Sequence, residues 1–274
     1  MKDMSQLYSI ILPAVYAVSV IFYGFIFYGR NKKLSLAASP LIIFLLILHT
    51  GHIILRAAAI DNFPLITKFD ALSLLAFFIL SLELVIQKIF RNKAAGFFAL
   101  ILACIIQALS SIFYNWNIQP NALLENWYFI THVLMTILGY TAISISSLYA
   151  LLYLLLNNSI KHRRLGILYD KLPPLRILEK MSIYAVRIGI GSLGIGILLG
   201  HVLSAVLMNS FWPNDAKVWF SSFIWFAYFA GYIISQQQKW RGRWMAYLSI
   251  IGFGILVLAN ITIIFIKDTF HNFH

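Results

Sequence analysis

The chain has 274 residues, of which 61% are hydrophobic and 11% are charged, and its mean hydropathy is +0.84. Water-soluble domains do not have this composition, so the sequence describes an integral membrane protein in contact with the lipid bilayer. The formal net charge of +12 would suit a nucleic-acid-binding protein. However, 15 of the 21 lysines and arginines lie in four short connections between apolar runs, and we therefore expect no nucleic-acid partner.

Apolar segments long enough to cross a bilayer occupy nearly the whole chain. A transmembrane α-helix needs about 20 apolar residues, and eight segments meet this length. We predict an all-α polytopic membrane protein in which residues 1–274 form one domain, a bundle of eight transmembrane helices. A solvated inner loop is predicted at 157–180, where Pro173 and Pro174 interrupt any continuous helix. The predicted spans are about 7–29, 35–57, 66–87, 94–114, 128–156, 181–208, 217–236 and 244–267.

Lysine and arginine cluster in alternate connections. These connections are 30–33, 88–93, 161–180 and 239–243. Positively charged loops stay in the cytoplasm. We therefore predict that the N-terminus, the C-terminus and the connection 209–219 face outward, in a multi-pass protein of the bacterial cytoplasmic (inner) membrane.

Two features that often carry chemistry have no such meaning here. Cys104 is the single cysteine and lies in mid-span, which excludes a disulfide framework or a CxxC redox pair. The segment GIGSLG at 189–194 matches GxGxxG, but that pattern indicates a dinucleotide site only between a strand and a helix. Inside a span, we expect the glycines of 189–200 to let a neighbouring helix or a bulky planar ligand approach the backbone.

Histidines are uncommon in membrane spans and are candidates for function there. The predicted topology places all but His162 of the seven histidines towards the outer side. Neutral imidazole is a common ligand of heme iron, zinc and copper, and two imidazoles can clamp a heme from both faces. The alternative is that span histidines are hydrogen-bonded packing residues and that the last two are tail residues. The outer candidates are His49, His52, His132, His201, His271 and His274.

Aromatic residues gather at the same predicted side. A surface of large rings suits a flat porphyrin better than a bare metal ion, whereas the alternative is an aromatic belt at the membrane interface. The residues are Tyr114, Trp116, Trp127, Phe211, Trp212, Trp219, Phe220 and Phe223.

Residues 211–217 read FWPNDAK. This stretch resembles the tryptophan-rich outer loop, roughly YWxWDPK, of the heme-handling membrane proteins of cytochrome c assembly, the CcsA type. Trp212, Asp215 and Lys217 keep the pattern, whereas Asn214 and Ala216 depart from it.

Other segments resemble the same family in the same order along the chain. They include NFPLITKFDAL at 62–72, NWYFITHVLMTILGYTA at 126–142, Trp225 in the next span, and KWRGR at 239–243. The likeness is to shorter eight-span members in which the tryptophan motif is degenerate.

In that family, two histidines bind an outer heme against the tryptophan-rich loop. By position, the resemblance carries these ligands over to His132 and His271, with His274 as the alternative to His271. It further implies that Trp212 stacks on the porphyrin, that Lys217 meets a propionate, and that Asp215 fixes the loop or orients an imidazole. The alternative is that Asp215 and Lys217 cap the seventh helix and bound it at the interface.

One position separates this chain from the fuller members of the family. Those members have a histidine in the span after the loop, where this chain has Ile233. The resemblance therefore does not carry an inner heme site over to this chain. Whether His49, His52 and His201 form a second site is left open.

We therefore expect a protein that binds non-covalent heme b at the outer face and supports cytochrome c maturation. Its expected partners are another cytochrome c assembly membrane protein and apocytochrome c. The sequence contains no self-contained catalytic site, so an enzymatic role is at most that of a subunit of a heme-attachment synthase machinery. The alternative is a membrane regulator or scaffold of heme biosynthesis without a fixed heme site.

Overall fold

The computed structural model describes residues 2–29, 36–65, 67–114, 126–163, 166–212 and 216–265, without the side chains of 2–5, 207–208, 216–217 and 259–265. The regular structure of these residues is α-helical throughout, which confirms the predicted fold class. The helices are α1 (Lys2–Tyr28), α2 (Ala38–Ile60), α3 (Lys68–Phe90), α4 (Gly96–Ile112), α5 (Trp127–Lys161), α6 (Ile167–Lys171), α7 (Leu175–Met208), α8 (Ala216–Gln237) and α9 (Arg243–Phe265).

The helices are those of a multi-pass membrane protein. Six of the described helices, α1, α2, α3, α5, α7 and α8, are long and apolar enough to cross a membrane. Helix α4 and the stretch Arg243–Leu258 of α9 are also apolar but shorter. The count of eight spans and the outward termini stay predictions.

The predicted inner loop at 157–180 was wrong at both of its ends. Helix α5 continues to Lys161, α6 occupies Ile167–Lys171, and α7 begins directly after Pro174. Proline blocks the helix that precedes it, but it is well tolerated at the start of a new one, where its missing N–H is not needed. Pro174 is therefore the N-cap of α7, and the proline pair separates two helices without lengthening the connection between them.

The helices group into two compact units, and each has its own buried polar contacts. The first unit contains α1 to α4 together with α6, and the second contains α5, α7, α8 and α9.

In the first unit, four buried side chains form one hydrogen-bonded chain with a single direction. The Tyr16 hydroxyl donates to His49 Nδ1 (2.8 Å), His49 Nε2–H donates to Ser73 Oγ (3.0 Å), and Ser73 donates to Gln107 Oε1 (3.2 Å). Helices α1, α2, α3 and α4 each supply one of these residues. Because none of them reaches solvent, each polar group needs its partner inside the bundle.

The start of α3 carries a buried ion pair. Thr67 and Asp70 form a capping box, in which each side chain accepts the other residue's backbone N–H. The same carboxylate accepts from Arg56 Nε at 3.1 Å, and both side chains are 1% exposed. The Arg56 guanidinium also lies over the rings of Phe69 and Tyr114. One aspartate therefore caps α3 and joins it to α2.

In the second unit, small residues let the helices approach closely. A Cβ atom on Gly189 of α7 would lie 2.7 Å from Ile143 of α5. The hydroxyls of Ser146, Ser182 and Ser249, from α5, α7 and α9, lie 3.0 to 3.4 Å from one another. Close backbone approach and interhelical hydroxyl contacts are the usual means of joining helices in lipid.

Candidate functional site

Two glycines of α7 bring its backbone against His132 of α5. A Cβ atom on Gly200 would lie 2.7 Å from His132 Cε1, and one on Gly196 would lie 2.7 Å from Thr136 Oγ1. Any larger residue at these two positions would displace α5 side chains. The predicted approach of a neighbouring helix to the glycines of 189–200 is confirmed at Gly189, Gly194, Gly196 and Gly200, whereas nothing lies within 4 Å of a Cβ atom on Gly191.

The His132 ring has a defined tautomer. Its Nδ1 lies 2.6 Å from the Gly196 carbonyl oxygen, which can only accept, so Nδ1 carries the proton. In the neutral ring, the lone pair is then on Nε2. Metal-bound histidines have this arrangement, in which a carbonyl or carboxylate fixes one ring nitrogen and the other faces the metal. The Gly196 carbonyl therefore fixes one ring nitrogen of His132, as such a carbonyl does in those histidines.

His201 lies one residue after Gly200 and is 3% exposed. Its Nδ1–H donates to the Phe211 carbonyl oxygen at 2.9 Å, and the Ser222 hydroxyl donates to its Nε2 at 3.2 Å. Its ring stacks on Phe211 (centroids 5.1 Å apart) and packs against Trp212 (4.3 Å). Both nitrogens of His201 are thus engaged within the protein.

The rings of Phe211, Trp212 and Trp219 form an exposed surface that we call the aromatic platform. Trp212 and Trp219 stack with their centroids 5.2 Å apart, and they are 51% and 53% exposed. The α7 turn from Gly196 to His201 contacts His132 through its glycines and Trp212 through His201. That turn therefore places one imidazole and one exposed indole in the same region of the second unit.

Helix α8 is anchored to α7 by Trp225, a residue on which the family resemblance also depends. Its Nε1–H donates to the Ile190 carbonyl oxygen at 2.9 Å, and its ring lies against Gly194. Ile233, two turns further along α8, has no atom that could bind a metal.

The remaining predicted site residues are distributed over the chain. His49 and His52 belong to the first unit, where both nitrogens of His49 are engaged in the polar chain. His52 is 1% exposed, and neither of its ring nitrogens has a hydrogen-bond partner among the described residues. Asp215, His271 and His274 lie outside the described residues, as does the side chain of Lys217.

Metal binding by a cluster of protein ligands finds no support in the described part of the chain. No three His, Cys, Asp or Glu side chains there are placed to hold a metal ion. A planar group held by an imidazole would instead draw on His132 and on the exposed rings of the aromatic platform.

Sequence reasoning missed three contacts of this site. They are made by the Gly196 carbonyl, which orients His132, and by the Phe211 carbonyl and the Ser222 hydroxyl, which bind His201. No sequence pattern marks these groups, because their roles depend on helix packing. The glycine spacing in α7 is the sequence signal that pointed to the approach of α5 at this site.

Together, the helices and this imidazole–tryptophan site define a polytopic helical membrane protein with a candidate site for a planar ligand. Residues 4–271 match the family described as "Cytochrome C assembly protein", and the chain therefore belongs to this family.

Its relatives carry two different names. Protein HemX of Brevibacillus brevis is 27% identical over 230 residues, which cover 84% of this chain and 83% of the relative. Protein HemX of Bacillus subtilis (strain 168) is 26% identical over 208 residues, 74% and 75% of the two chains. The cytochrome c biogenesis protein CcsA of Mesostigma viride is 23% identical over 287 residues, 95% and 93% of the two chains.

Proposed function

We propose that this protein binds heme b non-covalently at the outer membrane face and presents it for cytochrome c maturation. The observation that carries the proposal is the α7 stretch Gly196–His201, whose glycines lie against His132 and whose His201 packs against the exposed Trp212. Family membership and the relatives named for cytochrome c biogenesis support a role in cytochrome c maturation.

Each residue of the site has a task in this proposal. His132 would hold the heme iron through Nε2, and the Gly196 carbonyl would hold the imidazole and raise its basicity. Trp212 offers its exposed face for stacking. His271, or alternatively His274, would supply the second imidazole. Lys217 pairs with a propionate, and Asp215 orients the loop or an imidazole.

Ferrous heme supplies the reactive vinyl groups that become thioethers on the cysteines of an apocytochrome. This chain has one cysteine and no thiol pair. In the proposal, the residues of this chain therefore bind and orient heme. Another assembly protein of the bacterial cytoplasmic membrane brings the apocytochrome. The chain then acts as a heme chaperone or synthase subunit.

The first test is the absorption spectrum of the protein purified in mild detergent from heme-replete cells. We expect close to one heme per chain by pyridine hemochrome, with six-coordinate b-type spectra before and after dithionite reduction. His132→Ala should lower heme content by about tenfold or more. The matched control is His162→Ala, an exposed histidine just past the end of α5, which should retain full heme content.

The second ligand is identified by His271→Ala and His274→Ala, of which one should reduce heme content as His132→Ala does. If His132→Ala and His271→Ala both leave heme content unchanged, the ligand assignment is wrong.

A second candidate function is a membrane regulator or scaffold of heme biosynthesis without a fixed heme site. It is favoured by three departures from the family pattern, Asn214, Ala216 and Ile233, and by the relatives named protein HemX. A colourless protein that also fails to take up added hemin would favour this candidate.

A further inference from the structure

We propose that His201 is a positioning residue: it locks the loop that carries Trp212 onto the end of α7, and it does not ligate iron. This inference rests on the proposed function, because the locked loop carries Trp212, the ring to which that function assigns heme stacking. The described contacts of the His201 ring lie within the second unit.

The hydrogen bonds of His201 leave no ring nitrogen for a ligand. The Phe211 carbonyl oxygen can only accept, so Nδ1 carries the proton, and the lone pair of Nε2 receives the Ser222 hydroxyl. Iron ligation would require the loss of one of these bonds.

The lock joins three segments of the chain. His201 lies in α7, Phe211 in the loop and Ser222 in α8. Three residues further along α7, the Ser204 hydroxyl donates to the Ser210 carbonyl oxygen at 2.8 Å. Two successive loop carbonyls, those of Ser210 and Phe211, are therefore held by side chains from the last turns of α7.

His201 differs in burial from the rings that it contacts. His201 is 3% exposed, whereas the Phe211 and Trp212 rings that it contacts are about half exposed. The buried imidazole thus supports two rings that stay partly exposed. A loop ordered in advance does not have to be ordered when a ligand binds, and this raises affinity without adding a contact to the ligand.

The consequence is a specific pattern of defects. Without His201, the loop populates the competent arrangement for only a fraction of the time, and apparent affinity falls by that fraction. Axial ligation by His132 is untouched. A ligand role would instead change the coordination state of the iron.

The test compares His201→Ala, His201→Asn and Ser222→Ala in detergent-purified protein titrated with hemin. The Asn side chain can place its amide N–H where His Nδ1–H lies, so it can restore the bond to the Phe211 carbonyl. We expect His201→Ala to weaken hemin binding by about tenfold with an unchanged six-coordinate spectrum, and His201→Asn to recover most of that loss. Ser222→Ala should have an intermediate effect, because it removes one of the two hydrogen bonds.

A second readout needs no heme. Hydrogen–deuterium exchange of the segment 205–220 should be faster in heme-free His201→Ala than in the unaltered protein, and slower again in His201→Asn. His162→Ala is the control for a histidine substitution outside the lock and should leave the exchange of this segment unchanged.

The outcomes separate this inference from the proposed function. A five-coordinate spectrum in His201→Ala, or unchanged exchange of 205–220 in that variant, would overturn the lock. If the unaltered protein takes up no hemin but His201→Ala still exchanges faster, the lock stands and the proposed function fails.

Discussion

At Gly200, a hydrogen atom in place of a side chain determines where an imidazole can lie. The His132 ring occupies the space in which a Cβ atom would stand, and the neighbouring Gly196 supplies the carbonyl that fixes its tautomer. Two helix positions that look like packing residues in the sequence thus set both the location and the protonation of the candidate ligand.

We therefore expect Gly200→Ala to lower heme content several-fold, because the new methyl group would push the His132 ring away from its hydrogen bond. The matched control is Gly191→Ala in the same helix, where a Cβ atom meets nothing within 4 Å. Both changes improve helix propensity by about 1 kcal/mol, so a difference between them reports on His132 alone. Pyridine hemochrome measurements on the two purified variants make the comparison, and equal heme contents would contradict this role of Gly200.

Residue-level prediction from the sequence reached the side chains with distinctive chemistry but not the groups that orient them. His132 and Trp212 stood out because histidine is rare in membrane spans and the FWPNDAK stretch resembles a family motif. The bond from His132 to the Gly196 carbonyl joins residues 64 positions apart. Backbone carbonyls are present at every residue, so no pattern marks the one that will be used.

Among the helices, α3 begins with a capping box and a buried ion pair. Asp70 caps its own helix through Thr67 and holds the Arg56 charge of α2 inside the first unit. Removing one member of a buried ion pair leaves the other charge uncompensated, which typically costs about 3–5 kcal/mol.

Asp70→Asn should therefore destabilise the protein by an amount in that range, seen as a lower unfolding midpoint in a denaturant titration in detergent. The double variant Arg56→Met with Asp70→Leu should recover most of the loss, apart from about 1 kcal/mol for the missing cap. Asp170→Asn, an exposed carboxylate of α6, serves as the control. An Asp70→Asn variant as stable as this control would rule out a structural role for the pair.

Helix positions followed well from the sequence, because the length of each apolar run is set by membrane thickness. The region 157–180 did not, since its polar residues extend two helices beyond the apolar core instead of forming a loop. The sequence also did not predict which helices pack against one another. In lipid, an apolar face gives no hydrophobic preference for another helix, so the apolar pattern does not encode which faces meet.

For the whole molecule, the charge pattern predicts both termini outside and two crossings between the loop 209–219 and the C-terminus. In a Cys104→Ser background, Ser210→Cys and His274→Cys should react with a membrane-impermeant maleimide in intact spheroplasts. His162→Cys, in a positively charged connection, should react only after permeabilisation. Labelling of Ser210→Cys and His274→Cys from opposite sides would contradict the eight-span topology.

The polar chain from Tyr16 to Gln107 also limits how far the helices of the first unit can shift along one another. Apolar helices can slide along one another in a bilayer with little change in the groups that their surfaces contact. A run of three hydrogen bonds that takes one residue from each of four helices tolerates no such sliding, because a shift of one residue, 1.5 Å in rise and 100° in rotation, breaks a link. The hydrogen-bonded chain therefore fixes the depth of α1, α2, α3 and α4 relative to one another.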